Sequence, residues 1–160
     1  MATTEARLLT PLRQFGWREG ENLLVERLPS ESGGEQLKQR AEAFVRSGVD
    51  VIVTGGPETT MAAYRATQTI PIVFQAVHYP VEQGFMQSLA RPAGNVTGPA
   101  LFPNIDISIK SLQLLQVVMS GVRRVSWIWP QQNLEPPRVD GGVHDMRPAL
   151  MAGAQRLGLD

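Results

Sequence analysis

The run Val49-Asp50-Val51-Ile52-Val53-Thr54, followed at once by Gly55-Gly56-Pro57, constrains the fold more than any other stretch. Nearly continuous β-branched residues suit a strand covered on both faces, the usual situation in a parallel sheet. The two glycines turn the chain. Pro57 then fits the first position of a helix, where its missing N–H would have had no partner. That helix is expected to run to about Thr67. Ile70-Pro71-Ile72-Val73-Phe74 repeats the strand signal directly afterwards. Strand, helix, strand is the unit that builds parallel sheets, so an α/β fold with a mainly parallel sheet is predicted.

The flanking segments extend this alternation. Leu8, Leu9, Leu12 and Phe15 share a helical face ending at Gly16, and Pro11 is expected to kink that helix or to start it. Asn22 to Arg27 reads as a short strand, and Glu35 to Ser47 as an amphipathic helix capped by Gly48. A short helix is expected around Val81 to Leu89, then a brief strand or turn at Asn95 to Gly98. Asn104 is placed to cap a helix whose apolar positions Ile105, Ile109, Leu112, Leu115 and Met119 recur at spacings of four and three. Val125 to Trp129 has strand composition, with Trp127 and Trp129 on one face, where packing into a core is the first expectation and stacking on a ligand the second. Residues 130–143 carry the prolines and glycines of a loop, and Arg147 to Leu157 forms a closing helix that stops at Gly158.

Composition excludes several classes of function. Fifteen basic residues balance fifteen acidic ones within 160 residues, and the charge is spread evenly along the chain. Nucleic acid and anionic membranes are therefore poor partners. There are no cysteines, which removes disulfides, thiolate metal sites and cysteine nucleophiles. No apolar stretch approaches the roughly 20 residues of a membrane span. Met1 to Arg7 has no basic region followed by an apolar one, so no export signal is visible there.

Motifs for chemistry are scarce. Gly55-Gly56-Pro57 offers a helix N-terminus to a carboxylate or phosphate, but lacks the three-glycine spacing of a dinucleotide fingerprint and the Gly-Lys-Ser/Thr of a P-loop. A tight turn between strand and helix is the simpler reading. His78 and His144 have no second ligand at helical spacing, and no Gly-x-Ser-x-Gly elbow occurs. Asp140, His144 and Asp145 are expected to be a solvated linker rather than a metal site, and Glu19, Glu21 and Glu26 a solvated edge. No acid–base or nucleophile constellation emerges, so the chain is not expected to be an enzyme or to hold a cofactor.

Four stretches together carry a family resemblance: Phe15 to Leu23, Val49 to Pro57, Ala66 to Phe74, and Ser88-Leu89-Ala90-Arg91-Pro92-Ala93-Gly94-Asn95-Val96-Thr97-Gly98. In order and spacing, over about residues 8–129, the sequence resembles the substrate-binding proteins of bacterial ABC uptake systems, in the group that includes aromatic amino acid binders. The resemblance implies a periplasmic-binding-protein-like (type I) fold: two α/β lobes joined by a hinge that close on a small ligand. It also implies delivery of that ligand to an ABC permease, and a periplasmic location. A chain complete as written, without an export signal, is instead expected to be cytoplasmic.

Carried over by position, the ligand contacts implied by the resemblance are Thr54, Gly55, Gly56 and Thr59 at the first strand–helix turn. Val77, His78 and Tyr79 occupy the next loop, and Asn95 and Thr97 the Asn-Val-Thr-Gly stretch. Relatives commonly carry an aspartate where Tyr79 precedes Pro80. An acid there suits a ligand ammonium, whereas Tyr79 suits stacking on a planar ligand. Against the family pattern, the first strand is missing and the second lobe only begun: residues 1–122 correspond to an incomplete lobe one and 123–160 to the start of lobe two. A stand-alone cytoplasmic α/β module for a small ligand or a protein partner, or a non-functional remnant, is the alternative reading.

Overall fold

The computed structural model describes residues 4–27, 34–102, 104–119, 121–128, 138, 140 and 144–159. Among the described residues ten elements follow in chain order. Helix α1 spans Thr4–Gln14 and α2 Gly34–Ser47; strand β1 is Ile52–Thr54, α3 Pro57–Ala66 and β2 Ile72–Phe74. Then come β3 (Val77–His78), β4 (Val96–Thr97), β5 (Ala100–Phe102), α4 (Asp106–Val118) and α5 (Arg147–Arg156).

The β-branched run forms the expected parallel unit. β1 pairs with β2 in register Ile52↔Ile72, Val53↔Val73 and Thr54↔Phe74, and β2 pairs with β4 through Ile72↔Val96 and Val73↔Thr97. All three strands therefore end on the same edge of the sheet. β3 and β5 make a separate parallel pair. Neither was foreseen, because two- and three-residue strands carry no period for a sequence to display.

Alternation of side chains decides what each strand contributes. Ile52, Ile72, Phe74 and Val96 turn inward to meet Met61 and Ala63 of α3, with Val77, Phe85 and Met86 completing the cluster. α2 packs against α3, burying Leu37 and Ala41. On the opposite face of β1, Val51 and Val53 remain 47% and 40% exposed, so this strand is covered on one face rather than two.

Several local expectations are corrected. α1 runs through Pro11 to Gln14, and Gly16 at φ +88° turns the chain just beyond it. A helix tolerates the proline at the loss of one i→i−4 bond. Residues 22–27 form no strand. Asn22 instead accepts from the Arg18 N–H at 2.7 Å and donates to the Gly16 carbonyl at 3.0 Å, locking a turn. Glu19, read as part of a solvated edge, takes both guanidinium nitrogens of Arg27 at 2.6 and 2.8 Å. That contact holds its carboxyl below the usual carboxylate range.

The helix expected at 81–89 shrinks to one turn, in which the Gln83 N–H bonds the Tyr79 carbonyl at 3.0 Å and Gly84, at φ +85°, ends it. Ile105 rather than Asn104 caps α4, without a side-chain bond. Residues 122–128 have no regular structure, and Trp127 is 40% exposed rather than packed in a core. A strand needs a sheet to join, and this segment belongs to neither sheet. Trp129 and most of the 130–143 loop lie outside the described residues.

α5 falls where the sequence predicts it, and Gly158 at φ +66° ends it. It packs on α4, with Gly153 against Ile109 and the Gln116 amide donating to the Leu157 carbonyl at 2.7 Å. Among the described residues no helix is long and apolar enough to cross a membrane.

Candidate ligand-binding site

Parallel pairing brings the segments after β1, β2 and β4 to one edge, the place where open α/β sheets receive small ligands. After β1 comes Gly55-Gly56. Gly56 caps α3 in an extended conformation, and Pro57 opens the helix. The Gly56 N–H donates to the Thr59 hydroxyl at 3.2 Å, and that hydroxyl donates to the Gly56 carbonyl at 3.0 Å. Thr60 donates to the same carbonyl at 2.7 Å, so across the 2.7 Å contact between the Thr54 and Thr60 hydroxyls Thr54 is the donor. The hydroxyl protons of Thr54 and Thr59 are thus used inside the turn. The outward-facing resource is the first-turn N–H pair of Glu58 and Thr59, which no intrahelical carbonyl can reach. A carboxylate is the natural occupant of such an end.

The β2 and β4 ends close around this turn. The Gln75 N–H bonds the Thr54 carbonyl at 2.9 Å. Gly98 lies so near β2 that a Cβ there would stand 2.2 Å from the Phe74 carbonyl oxygen. Thr97 is exposed beside Val73. Asn95 acts differently: its side-chain amide donates to the Thr67 and Ile70 carbonyls at 3.2 and 2.8 Å, tying the end of α3 to β4.

Val77 is fully buried in the core. His78 is half-buried and stacks on Phe102, with centroids 5.2 Å apart and planes 21° from parallel. Burial holds its imidazole below the usual histidine range. Tyr79 is fully buried and adopts φ +52°, a left-handed conformation that costs a non-glycine residue about 1–2 kcal/mol. Burial pushes its phenol pKa up, a shift opposed by neighbouring Ser108 and reinforced by the charge of Glu82. The phenol oxygen nonetheless makes no hydrogen bond of ordinary length.

Sequence reasoning missed Glu82 and Gln83. Gln83 is 1% exposed and donates to the His78 carbonyl at 2.6 Å, while its own carbonyl oxygen and one oxygen of Glu82 are buried without partners. Both fall in the segment expected as a helix, and nothing in the sequence marks their oxygens as buried without partners.

The predicted residues therefore divide. Gly55, Gly56 and Thr59 sit together at the sheet edge after β1, with Thr97 on β4, beyond β2. Thr54, Val77 and Asn95 have their polar or apolar groups engaged by the fold. His78 and Tyr79 belong to the β3–β5 layer. Asp140 and Asp145 pair with Arg138 and Arg147 at 3.1 and 2.9 Å, and among the described residues no three His, Cys, Asp or Glu gather as a metal site. An open groove of about 560 Å³ between α4 and α5, lined by Ile105, Asp106, Ile109 and Arg156 among others, shares no residue with the strand ends.

A parallel sheet with its glycine turns at one edge defines an open α/β class of fold, and similarity sharpens this. Residues 2–134 match the family described as ABC transporter substrate binding protein, and the chain belongs to that family. It is similar to the tyrosine-binding protein of Clostridioides difficile strain R20291, 28% identical over 134 residues, covering 84% of this chain and 38% of that protein. Among solved structures it resembles a conserved domain protein from Vibrio cholerae, with TM-score 0.72 and 27% identity over 96% of this chain and 48% of the other.

Two further structures share the fold. One is the ligand-free, open form of a substrate binding protein with adhesive properties from Clostridium difficile, at TM-score 0.69 and 23% identity, covering 98% of this chain and 50% of that one. The other is an ABC domain from Streptococcus pneumoniae in complex with L-Trp, at TM-score 0.69 and 18% identity, covering 94% and 48%. The chain spans half or less of the length of these relatives. The periplasmic-binding-protein-like fold is thereby established.

Proposed function

We propose that this chain supplies one wall of the ligand site in the solute-binding component of a bacterial ABC import system, working outside the cytoplasmic membrane and passing its ligand to a permease. The observation that carries the reading is the shared edge of β1, β2 and β4, with the α3 N-terminus and Gly98 beside it, in a member of the substrate-binding family. A free amino acid with an aromatic side chain is the proposed ligand. A similar protein is named for binding tyrosine, and the unpaired N–H groups of α3 suit an α-carboxylate. Gly55, Gly56, Thr59 and Thr97 face this ligand in the proposal, with His78 and Tyr79 at its flank. Residues 1–122 constitute lobe one and 123–160 open lobe two. The role is capture and release, with no bond made or broken.

Thermal unfolding of the purified chain tests this. A ligand at a hundred times its dissociation constant stabilises the folded state by about 2.7 kcal/mol. L-tyrosine or L-tryptophan is expected to raise the midpoint, with L-alanine and L-glutamate weaker. An unchanged midpoint with every aromatic amino acid would remove the proposed ligand class.

A further inference from the structure

Strand β1 stands at the outside of its sheet, in the order β1-β2-β4, which leaves one of its long sides open. The ladder to β2 identifies the groups left over. The Ile52 N–H donates to the Pro71 carbonyl at 2.9 Å, and the Gln75 N–H donates to the Thr54 carbonyl at 2.9 Å. Alternate residues of a strand address opposite neighbours. Val53 and, one pleat earlier, Val51 therefore turn their N–H and C=O groups away from β2. Among the described residues no strand lies on that side to receive them. The side chains of the same two valines are exposed.

Natural edge strands are commonly blunted by lysine, proline or a bulge. The run Val49 to Thr54 holds neither lysine nor proline, and β1 meets β2 without a break in register. Its only charge is Asp50, which is exposed. Donors and acceptors repeating along a line are matched by another extended backbone, and exposed valines favour apolar side chains beside them. Asp50 adds a preference for a basic residue near the start of the strand. We propose that the open long side of β1 is a docking surface for an extended apolar peptide segment carrying a basic residue, which adds to this three-stranded sheet as a fourth strand. The surface runs along β1 rather than across the strand ends, so it is separate from the ligand site proposed above.

The probe is the peptide Lys-Val-Thr-Val-Thr-Val-amide with a fluorophore at its N-terminus, titrated with the chain and read by polarisation. Saturable binding is expected. It is expected to vanish when the backbone nitrogens of the peptide are methylated, because the side chains are then unchanged and only the strand-forming bonds are blocked. Val53→Pro removes an outward N–H while Ile52 and Thr54 keep the ladder to β2, and is expected to weaken binding by about tenfold, as for loss of one hydrogen bond. Asp50→Asn is expected to remove the salt dependence of binding. Leu114→Lys, on the exposed side of α4, is expected to bind as the unaltered chain does.

No saturable binding, equal binding of the methylated peptide, or full binding by Val53→Pro overturns the proposal. Binding lost in Leu114→Lys and kept in Val53→Pro places the peptide on α4 and overturns it too. Light scattering is run in parallel: a particle of two chains that falls to one chain in Val53→Pro gives the surface to a second copy instead. Val53→Lys, which puts a charge on the open side, is the second variant should Val53→Pro not fold.

Discussion

Gly98 shows how one residue holds the proposed site in shape. A methyl group there would meet the Phe74 carbonyl oxygen at 2.2 Å and the Phe74 ring at 2.7 Å, and main chain cannot give way as a flexible side chain does. Gly98→Ala is therefore expected to destabilise the chain by about 2 kcal/mol or more, read from denaturant midpoints. Asn95 is a second fixed point. Its amide serves two carbonyls, so Asn95→Ala is expected to cost about 1–3 kcal/mol in stability, and Asn95→Asp is destabilising too because an acceptor replaces the donor. Full stability in Asn95→Ala would return this residue to the list of simple ligand contacts.

His78 makes stability depend on pH. Burial favours its neutral form, so the folded pKa lies below the unfolded value. The unfolded chain then binds more protons in that window. The contribution is fully present above the unfolded pKa, near 6.5, and is lost as pH falls through the folded one. His78→Gln is expected to flatten this part of a stability–pH curve. A slope that persists unchanged would assign it to other groups.

At the scale of elements, legibility followed length and period. The helices at 34–47, 57–66, 106–118 and 147–156 were readable because each repeats apolar residues on one face or opens with a proline. The run ending in Gly55-Gly56 gave β1 and the turn that defines the sheet edge. What failed was of two kinds. β3 and β5 are too short to show a pattern, and the strands expected at 22–27 and 125–129 had suitable composition, yet 22–27 keeps a single bridge from Leu23 to Glu19 and the described residues 125–128 join neither sheet.

The turn from Tyr79 to Gln83 was half legible: Tyr79 stood out against the family pattern, yet only packing reveals that Glu82 and Gln83 bury unpaired oxygens. One element-level prediction concerns α5. A methyl group on Gly153 would lie 2.7 Å from Ile109, so Gly153→Ala is expected to push α5 from α4 unless Ile109 is trimmed. The double variant Gly153→Ala with Ile109→Val recovers part of the lost stability, as contacting residues couple. Strict additivity would mean that the two helices do not meet there.

For the molecule as a whole, the order of the strands matters more than any single contact. Because β1, β2 and β4 are parallel, three loops that are distant in sequence end on one edge, while the groove between α4 and α5 lies elsewhere. The first turn of α3 stands at this edge, where the proposed ligand's carboxylate would sit. The chain covers about half of the solved relatives it resembles, so affinity measured on it reflects contacts from one wall. The most direct measurement is a titration of the isotopically labelled chain with L-tyrosine, followed by amide chemical shifts. The account predicts saturable shifts at Gly55, Gly56, Thr59 and Gly98. Shifts confined to α4 and α5, or none at saturating ligand, would contradict it.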